Sequence, residues 1–302
     1  MHLCIFTYIH AQITIYIKKT ALFSRIIVVM LFAIITLNVE AQKKIELKFQ
    51  PENNSKYIMT SELKNSSSQM GMEVSMDLTT VLSALVTTHS PNTLMTFQYT
   101  NLKASADMMG QKVNVDSDQP GSNNESLKKM TNKPFDFLLD KNGTVIKVTG
   151  FDSLLASFGP NNPAANFLNE DAIKSLMDQN FSFYPNKSVG VGDSWTKTST
   201  IFNSVKLNTN TTYTLEKVEN NLAYIKLSAT AVTEGTQKMS INGMEVALRL
   251  KGTQTGEIVV DMQTGLFTTS TTQQNLQGAI SAMGQEIPVN IKSDLSSTFK
   301  KP

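Results

Sequence analysis

FDFLLDKNGTVIKVTG, residues 135–150, carries an apolar strand into Asp140, a turn that ends in Gly143, and a second strand rich in β-branched residues. The same order returns in IVVDMQTGLFTTSTTQQ, residues 258–274, where Asp261 and Gly265 hold the corresponding places. A tight hairpin needs a residue with positive φ, and glycine adopts that conformation without steric cost. Both stretches therefore predict β-hairpins, and their recurrence suggests that the chain contains related parts.

Most of the chain after residue 42 alternates apolar and polar residues with a period of two. In residues 72–79, for example, Met72, Val74, Met76 and Leu78 share one face of the predicted strand. Such alternation is typical of half-exposed antiparallel strands, because strands of a buried parallel sheet are apolar on both faces. Glycines separate the alternating runs and predict further turns: Gly71, Gly110, Gly243 and Gly284. We predict a mainly β fold of long antiparallel meanders in two approximately duplicated halves, forming a curved sheet, half-barrel or sandwich.

Two short helices are predicted between the halves. The first has apolar residues at helical spacing and ends at Gly159-Pro160; these residues are Phe151, Leu154, Leu155 and Phe158. The second follows Asn162-Pro163, and its apolar side consists of Leu168, Ile173, Leu176 and Met177. A polar stretch, Gln119 to Lys133, is predicted to be a mobile loop. The predicted divisions are a signal peptide at 1–41, a first β half at 42–150, a helical insert and linker at 151–185, and a second β half at 186–302.

The first residues are typical of a signal peptide. Lys18 and Lys19 precede an apolar run, Ile26 to Leu37, and Val39-Glu40-Ala41 has small residues where a signal peptidase reads. We expect cleavage after Ala41 and a periplasmic or secreted protein that does not span a membrane after cleavage. A retained membrane anchor is the alternative, although the run is short for a span of about 20 residues.

Charge and cysteine content exclude several function classes. Of 27 Lys and Arg, three precede the cleavage point, and of 25 Asp and Glu, one does, which leaves 24 of each sign in the mature chain. A chain with no basic excess is not expected to bind nucleic acid. The single cysteine, Cys4, lies in the leader, so the mature chain is predicted to have no disulfide and no thiolate metal site.

Catalytic and metal-binding motifs are not found, and we predict no catalytic residue, no metal ligand and no cofactor. His89 is the only histidine after the leader, and its context, HSPNT, predicts a surface turn. Ser194 lacks the G-x-S-x-G context of a serine hydrolase. A hydrolase that uses paired carboxylates remains an alternative, for which Asp136, Asp140 and Asp193 are the candidates.

The segment V-x-V-G-D-S-W at residues 189–195, with the Met-Gly turns and the DKNG hairpin, resembles a family of uncharacterised secreted proteins of Bacteroidota, classed as a domain of unknown function. The resemblance extends over nearly all of the mature chain. It implies an exported, β-rich protein, and it lends neither an activity nor site residues.

Methionines are spread over the predicted strands, and their flexible side chains suit surfaces that accept variable apolar shapes. Our leading hypothesis is a non-enzymatic protein that binds an apolar or lipid-like molecule between the sheet and the helices. The predicted lining consists of Met76, Leu78, Phe97, Leu155, Phe158, Leu176, Met177 and Phe183. The alternative is an envelope structural or interaction protein with a filled core and a protein partner.

Overall fold

The computed structural model describes residues 44–69, 72–108, 110–121, 124–131, 133–156, 170–202, 206–241, 244–282 and 285–302. The predicted signal peptide at 1–41 lies outside these residues. Thirteen strands and three helices occur within the described ranges. The strands are β1 Lys56–Gln69, β2 Met72–His89, β3 Asn92–Met108, β4 Gln111–Asp116, β5 Pro134–Leu139, β6 Val145–Thr149, β7 Ser194–Phe202, β8 Lys206–Glu219, β9 Leu222–Thr233, β10 Gln237–Ile241, β11 Met244–Asp261, β12 Phe267–Ala282 and β13 Gln285–Lys300. The helices are α1 Glu125–Met130, α2 Phe151–Leu155 and α3 Glu170–Phe181.

All strands belong to one antiparallel sheet, so the predicted mainly β fold is confirmed. The strand order is β6-β5-β3-β2-β1-β13-β12-β11-β9-β8-β7. The first and last strands, β1 and β13, pair along most of their length and join the two halves. Each half contains one short strand that branches from a longer one, since β4 pairs with β3 and β10 pairs with β11. The halves differ in strand number, with six in the first and seven in the second.

The two hairpins predicted from their Asp and Gly residues are present. Gly143 has φ +73° and Gly265 has φ +71°, the left-handed conformation that the turns require. In the first turn Asp140 Oδ1 accepts hydrogen bonds from the N–H groups of Asn142 and Thr144, at 2.8 and 2.9 Å. In the second turn Asp261 accepts hydrogen bonds from the N–H of Gln263 at 2.9 Å and from the hydroxyl of Thr264 at 3.1 Å. The aspartates therefore stabilise the turns, as their position in the sequence suggested.

The helical content differs in part from the expectation. The predicted loop at Gln119 to Lys133 contains α1, because two apolar side chains, the buried Met130 and the partly buried Leu127, anchor this short helix to the core. The first predicted helix is present as α2. The second is described from Glu170 onward as α3, and its earlier part lies outside the described residues. None of the described helices has the length and apolar character that crossing a membrane would take.

Helix α3 contacts β6 and β7, which are at opposite ends of the strand order. The sheet must therefore curl until both edges reach one helix. The two edges are tied to α3 by hydrogen bonds: the N–H of Val145 donates to Asp178 Oδ1 at 2.7 Å, and Ser175 Oγ donates to the carbonyl of Thr200 at 3.2 Å. We call the face that α3 covers the inner face.

The main core lies on the inner face around the end of α3. Its largest fully buried side chains are aromatic, and Phe181 contacts the rings of Phe49, Phe267 and Phe299. A separate buried cluster lies further along the inner face, on the second half of the sheet; it consists of Leu207, Ala231, Leu250, Leu276 and Val289. The inner face thus carries two apolar regions, and polar residues lie between them.

Candidate functional site

A cavity of about 480 Å³ lies between α3 and the inner face. Its walls come from α3 and from strands β7, β8, β9, β11, β12 and β13. This volume is within the range of small-molecule sites. Hydroxyl and amide side chains dominate the lining, which includes Ser199, Thr209, Thr211, Gln254, Ser270 and Thr272. The interior of the curled sheet is therefore not filled, and the space beneath the helix is polar.

Strand register explains how this polar lining arises. Residues directly opposite one another on neighbouring strands project to the same face of a sheet. One row of paired positions runs across eight strands from β7 to β2, and it consists of Lys197, Thr211, Ala229, Gln254, Gln274, Ser293, Asn65 and Met76. We call it the polar row. Within it Asn65 Nδ2 donates to Ser293 Oγ at 2.8 Å, so part of the row is internally hydrogen-bonded.

Three charged side chains line the cavity: Lys174 and Asp178 from α3, and Lys197 from β7. Burial raises the pKa of the Asp178 carboxyl, although the Val145 N–H and the Lys174 ammonium oppose the shift. Burial lowers the pKa of the Lys197 ammonium, which the nearby Asp140 carboxylate partly offsets. Within the described ranges, the ammonium group of Lys197 makes no hydrogen bond or ion pair. The cavity thus holds a partly desolvated ammonium group that lacks a direct partner.

An exposed apolar patch lies on the inner face at the far end of the first half. Met72, Val74 and Met76 of β2 and Val113 of β4 form it, with exposed fractions from 36% to 46%. Register puts these side chains on the same face as the buried core residues of β2, such as Leu82. Apolar side chains that cluster on a surface commonly mark a binding site. We call these four residues the apolar patch.

The apolar patch and the cavity are connected along the inner face. Leu78, two residues beyond Met76, is paired with Leu63 of β1, and Leu63 is paired with Leu295 of β13. Leu295 lines the cavity. Three leucines on adjacent strands therefore form an apolar path from the patch to the cavity wall.

The predicted lining residues are divided among several places. Met76 is in the apolar patch and Leu78 is on the path to the cavity. Phe97 and Phe183 are fully buried in the main core, and the partly buried Leu155 and Met177 pack against that core. Phe158 and the side chain of Leu176 lie outside the described residues. None of the described members of the set lines the cavity beneath α3.

Sequence reasoning missed the polar side chains of the polar row, which are Lys197, Thr211, Gln254, Gln274, Ser293 and Asn65. Their only signal in the sequence is a polar residue at a position that alternation assigns to the inner face, as with Lys197 two residues after Trp195. Recognition of the row needs the pairing of strands that are far apart in the chain.

The carboxylates considered for hydrolysis have structural partners. Thr96 Oγ1 donates to Asp136 Oδ1 at 2.6 Å, Asp140 caps its turn, and Asp193 Oδ2 accepts the N–H of Gly190 at 2.9 Å. Among the described residues, no group of three or more His, Cys, Asp or Glu side chains is arranged to hold a metal ion.

Comparison with known sequences identifies a family. Residues 90–267 match a family described as a family of unknown function, DUF6263. This match spans more than half of the chain, and it agrees with the resemblance seen in the sequence at the level of an unknown-function family. No match was found among the curated proteins.

Solved structures show where the fold has been seen. A structure of lipovitellin, described in terms of lipid–protein interactions, is similar with a TM-score of 0.52 and 13% identity; the match covers 83% of this chain and 25% of that chain. This chain therefore spans about a quarter of lipovitellin. The translocator domain of the autotransporter NalP from Neisseria meningitidis has a TM-score of 0.22, 7% identity, and coverage of 83% and 90%. Pseudomonas aeruginosa OpdQ has a TM-score of 0.19, 6% identity, and coverage of 81% and 98%. Of these three structures, lipovitellin alone is similar enough to describe a shared fold.

Proposed function

Since the chain belongs to the DUF6263 family of unknown function, we propose its function from its own inner face: it is an exported, non-enzymatic protein that binds an amphipathic, lipid-like molecule. The observation that carries the proposal is the apolar patch, which leaves Met72, Val74, Met76 and Val113 exposed on the face that elsewhere forms the core. The part of the proposal that concerns export is based on the signal-peptide-like sequence before residue 42.

The binding mode follows from the neighbourhood of the patch. An acyl chain lying on Met76 and Val74 continues along Leu78, Leu63 and Leu295 to the cavity. Burial of each methylene group of an acyl chain contributes about 0.8 kcal/mol to the free energy of binding. Contact of several methylene groups with these apolar side chains therefore favours binding. The polar end of the ligand then occupies the hydroxyl-rich space beneath α3. This site differs from the one predicted from the sequence, which lay between the sheet and the helices. Phe97 and Phe183 of the predicted lining are fully buried in the core and are not accessible to a ligand.

Similarity to lipovitellin is compatible with this choice of ligand, because a protein described by its lipid interactions has the same fold. The likeness concerns the fold, and the case for a lipid rests on the residues of this chain.

Native mass spectrometry of the protein purified from its own envelope fraction, before and after organic extraction, tests the proposal. We expect an added mass that leaves on extraction, and we expect the extracted protein to take up monoolein, a neutral lipid with an 18-carbon chain. A bare mass together with no uptake of monoolein would refute lipid binding and would favour a protein partner in the envelope.

A matched pair of variants locates the site. Met76→Ser removes an apolar side chain from the patch, and Leu85→Ser removes one from the opposite face of the same strand; both side chains are 39% exposed. Met76→Ser should reduce monoolein uptake, and Leu85→Ser should not. Equal uptake by both variants would contradict binding on the patch.

A further inference from the structure

Lys197 is a charged side chain in a cavity that is lined mainly by uncharged polar side chains. It occupies the β7 end of the polar row, opposite Thr211 of β8. Its ammonium group is partly withdrawn from water, and within the described part of the chain no hydrogen bond or ion pair compensates for this. A charged group taken out of water is costly unless it is paired. Because the side chain of Lys197 lines the cavity, a ligand bound there can supply the missing partner.

The other charged groups around the cavity have interactions within the protein. Asp178 accepts the Val145 N–H at 2.7 Å, and Lys174 is one helical turn before it and attracts its carboxylate. Asp140, in the β5–β6 turn, accepts the N–H groups of Asn142 and Thr144. Asp140 influences Lys197 only through space, with no contact close enough to form an ion pair. Lys174 and Lys197 thus each act on a carboxylate only through space, and Lys197 is the one of the two that lies on the sheet, at the β7 end of the polar row.

We propose that the polar end of the ligand is an oxyanion, the carboxylate of a fatty acid or the phosphate of a phospholipid, and that Lys197 binds it inside the cavity. This inference rests on the proposed function and adds the chemical class of the ligand. The ammonium group supplies three N–H donors, and hydroxyl groups such as those of Ser270 and Thr272 line the same space. Charge-assisted hydrogen bonds of this kind are stronger than those between neutral groups.

The geometry accommodates the two parts of such a molecule. The polar row runs from Lys197 at one end to Met76 of the apolar patch at the other. The leucine path of residues 78, 63 and 295 reaches the cavity from the patch side. An acyl chain on the patch and the path therefore directs its terminal oxyanion toward the cavity that contains Lys197.

The protein contains its own reporter for the test. Trp195 is the only tryptophan, and its ring stacks on that of Tyr213 at 5.7 Å between centroids. Tyr213 lines the cavity. Titrations of the extracted full-length mature protein are followed by Trp195 fluorescence, with uptake checked by native mass spectrometry. The probes share an 18-carbon chain and differ in the polar end: oleate, oleyl phosphate and the uncharged oleyl alcohol.

We expect oleate or oleyl phosphate to bind at least about tenfold more tightly than oleyl alcohol, as a charged hydrogen bond contributes on the order of one factor of ten. Lys197→Gln should remove this preference while leaving the affinity for oleyl alcohol unchanged, and Lys197→Arg should restore part of it. Lys251→Gln, on the outer face of β11, is the control and should behave as the wild type. If the preference that depends on Lys197 is seen for oleate, the anionic group is a carboxylate. If it is seen for oleyl phosphate, the anionic group is a phosphate.

Equal affinity of the wild type for all three probes overturns the oxyanion inference and leaves lipid binding in place. The same conclusion follows if Lys197→Gln keeps the preference. Failure of every probe to bind, oleyl alcohol included, overturns the proposed function as well, so the two failures are distinguishable.

Discussion

Gly265→Ala tests whether the turn glycines are required by conformation alone or also by close packing. A Cβ at residue 265 would lie 1.8 Å from the carbonyl oxygen of Lys48, a distance that no real contact tolerates. Two of the hydrogen bonds that this turn accepts from outside are at Thr264 and Gly265: Gln50 N–H donates to the carbonyl of Thr264 at 3.0 Å, and Tyr184 O–H donates to the carbonyl of Gly265 at 2.5 Å. The added methyl group therefore displaces a segment and weakens both bonds.

The magnitude follows from these parts. A non-glycine residue in the left-handed conformation costs about 1 kcal/mol or somewhat more. Each of the two hydrogen bonds contributes about 1 kcal/mol when it is lost. We expect Gly265→Ala to reduce the free energy of unfolding by about 3 kcal/mol. Gly235→Ala is the control, because Gly235 has a similar φ of +63° and no atom within 4 Å of its added Cβ. Gly235→Ala should reduce the free energy of unfolding only by the cost of the left-handed conformation.

Urea unfolding followed by Trp195 fluorescence measures both variants. The reasoning is refuted if the two alanine variants lose the same stability to within about 0.5 kcal/mol, since the contact with Lys48 would then have no energetic effect.

Two further predictions concern groups near α3. Asp178→Asn keeps an acceptor for the Val145 N–H and removes a charge that the fold disfavours. The pKa of Asp178 is raised in the folded protein. The wild type therefore becomes more stable as the pH falls through that raised pKa toward the ordinary value of 3.8, and it loses this stability as the pH rises. The variant should be more stable than the wild type at neutral pH, with a difference that shrinks toward pH 3.8 in thermal unfolding; a constant difference would contradict the assignment. Tyr184→Phe removes the buried O–H that donates to Gly265, and we expect a loss of about 1 to 2 kcal/mol in urea unfolding. An unchanged midpoint and slope would show that the carbonyl of Gly265 does not need this donor.

Local patterns predicted a large part of the fold. The hairpins at Gly143 and Gly265 followed from turn chemistry, which depends on a few neighbouring residues. Period-two alternation also assigned Met72, Val74, Met76 and Leu78 to one face of β2, as the structure has them. The helix α1 was missed because its six residues, Glu125–Met130, include only two apolar side chains, Leu127 and Met130, to mark it.

The candidate site was harder to predict for a physical reason. Alternation shows which side chains face inward and does not show which of them are enclosed by other groups. Phe97 and Met76 have the same pattern, yet one is fully buried and the other is exposed. The polar row depends on register between strands distant in the chain, such as β1 with β13, which no local pattern encodes.

The pairing of β1 with β13 also has a kinetic consequence. Ile58 pairs with Lys300, so the seam that unites the two halves joins the first strand of the sheet to its last strand. Contacts between residues so far apart in sequence slow folding, because a long loop must close before the contact stabilises it. Until β13 has been synthesised, β1 and β12 each present an open edge to other chains. The complete sheet therefore forms only after the last strand is available, and the unfinished chain is the form most exposed to aggregation.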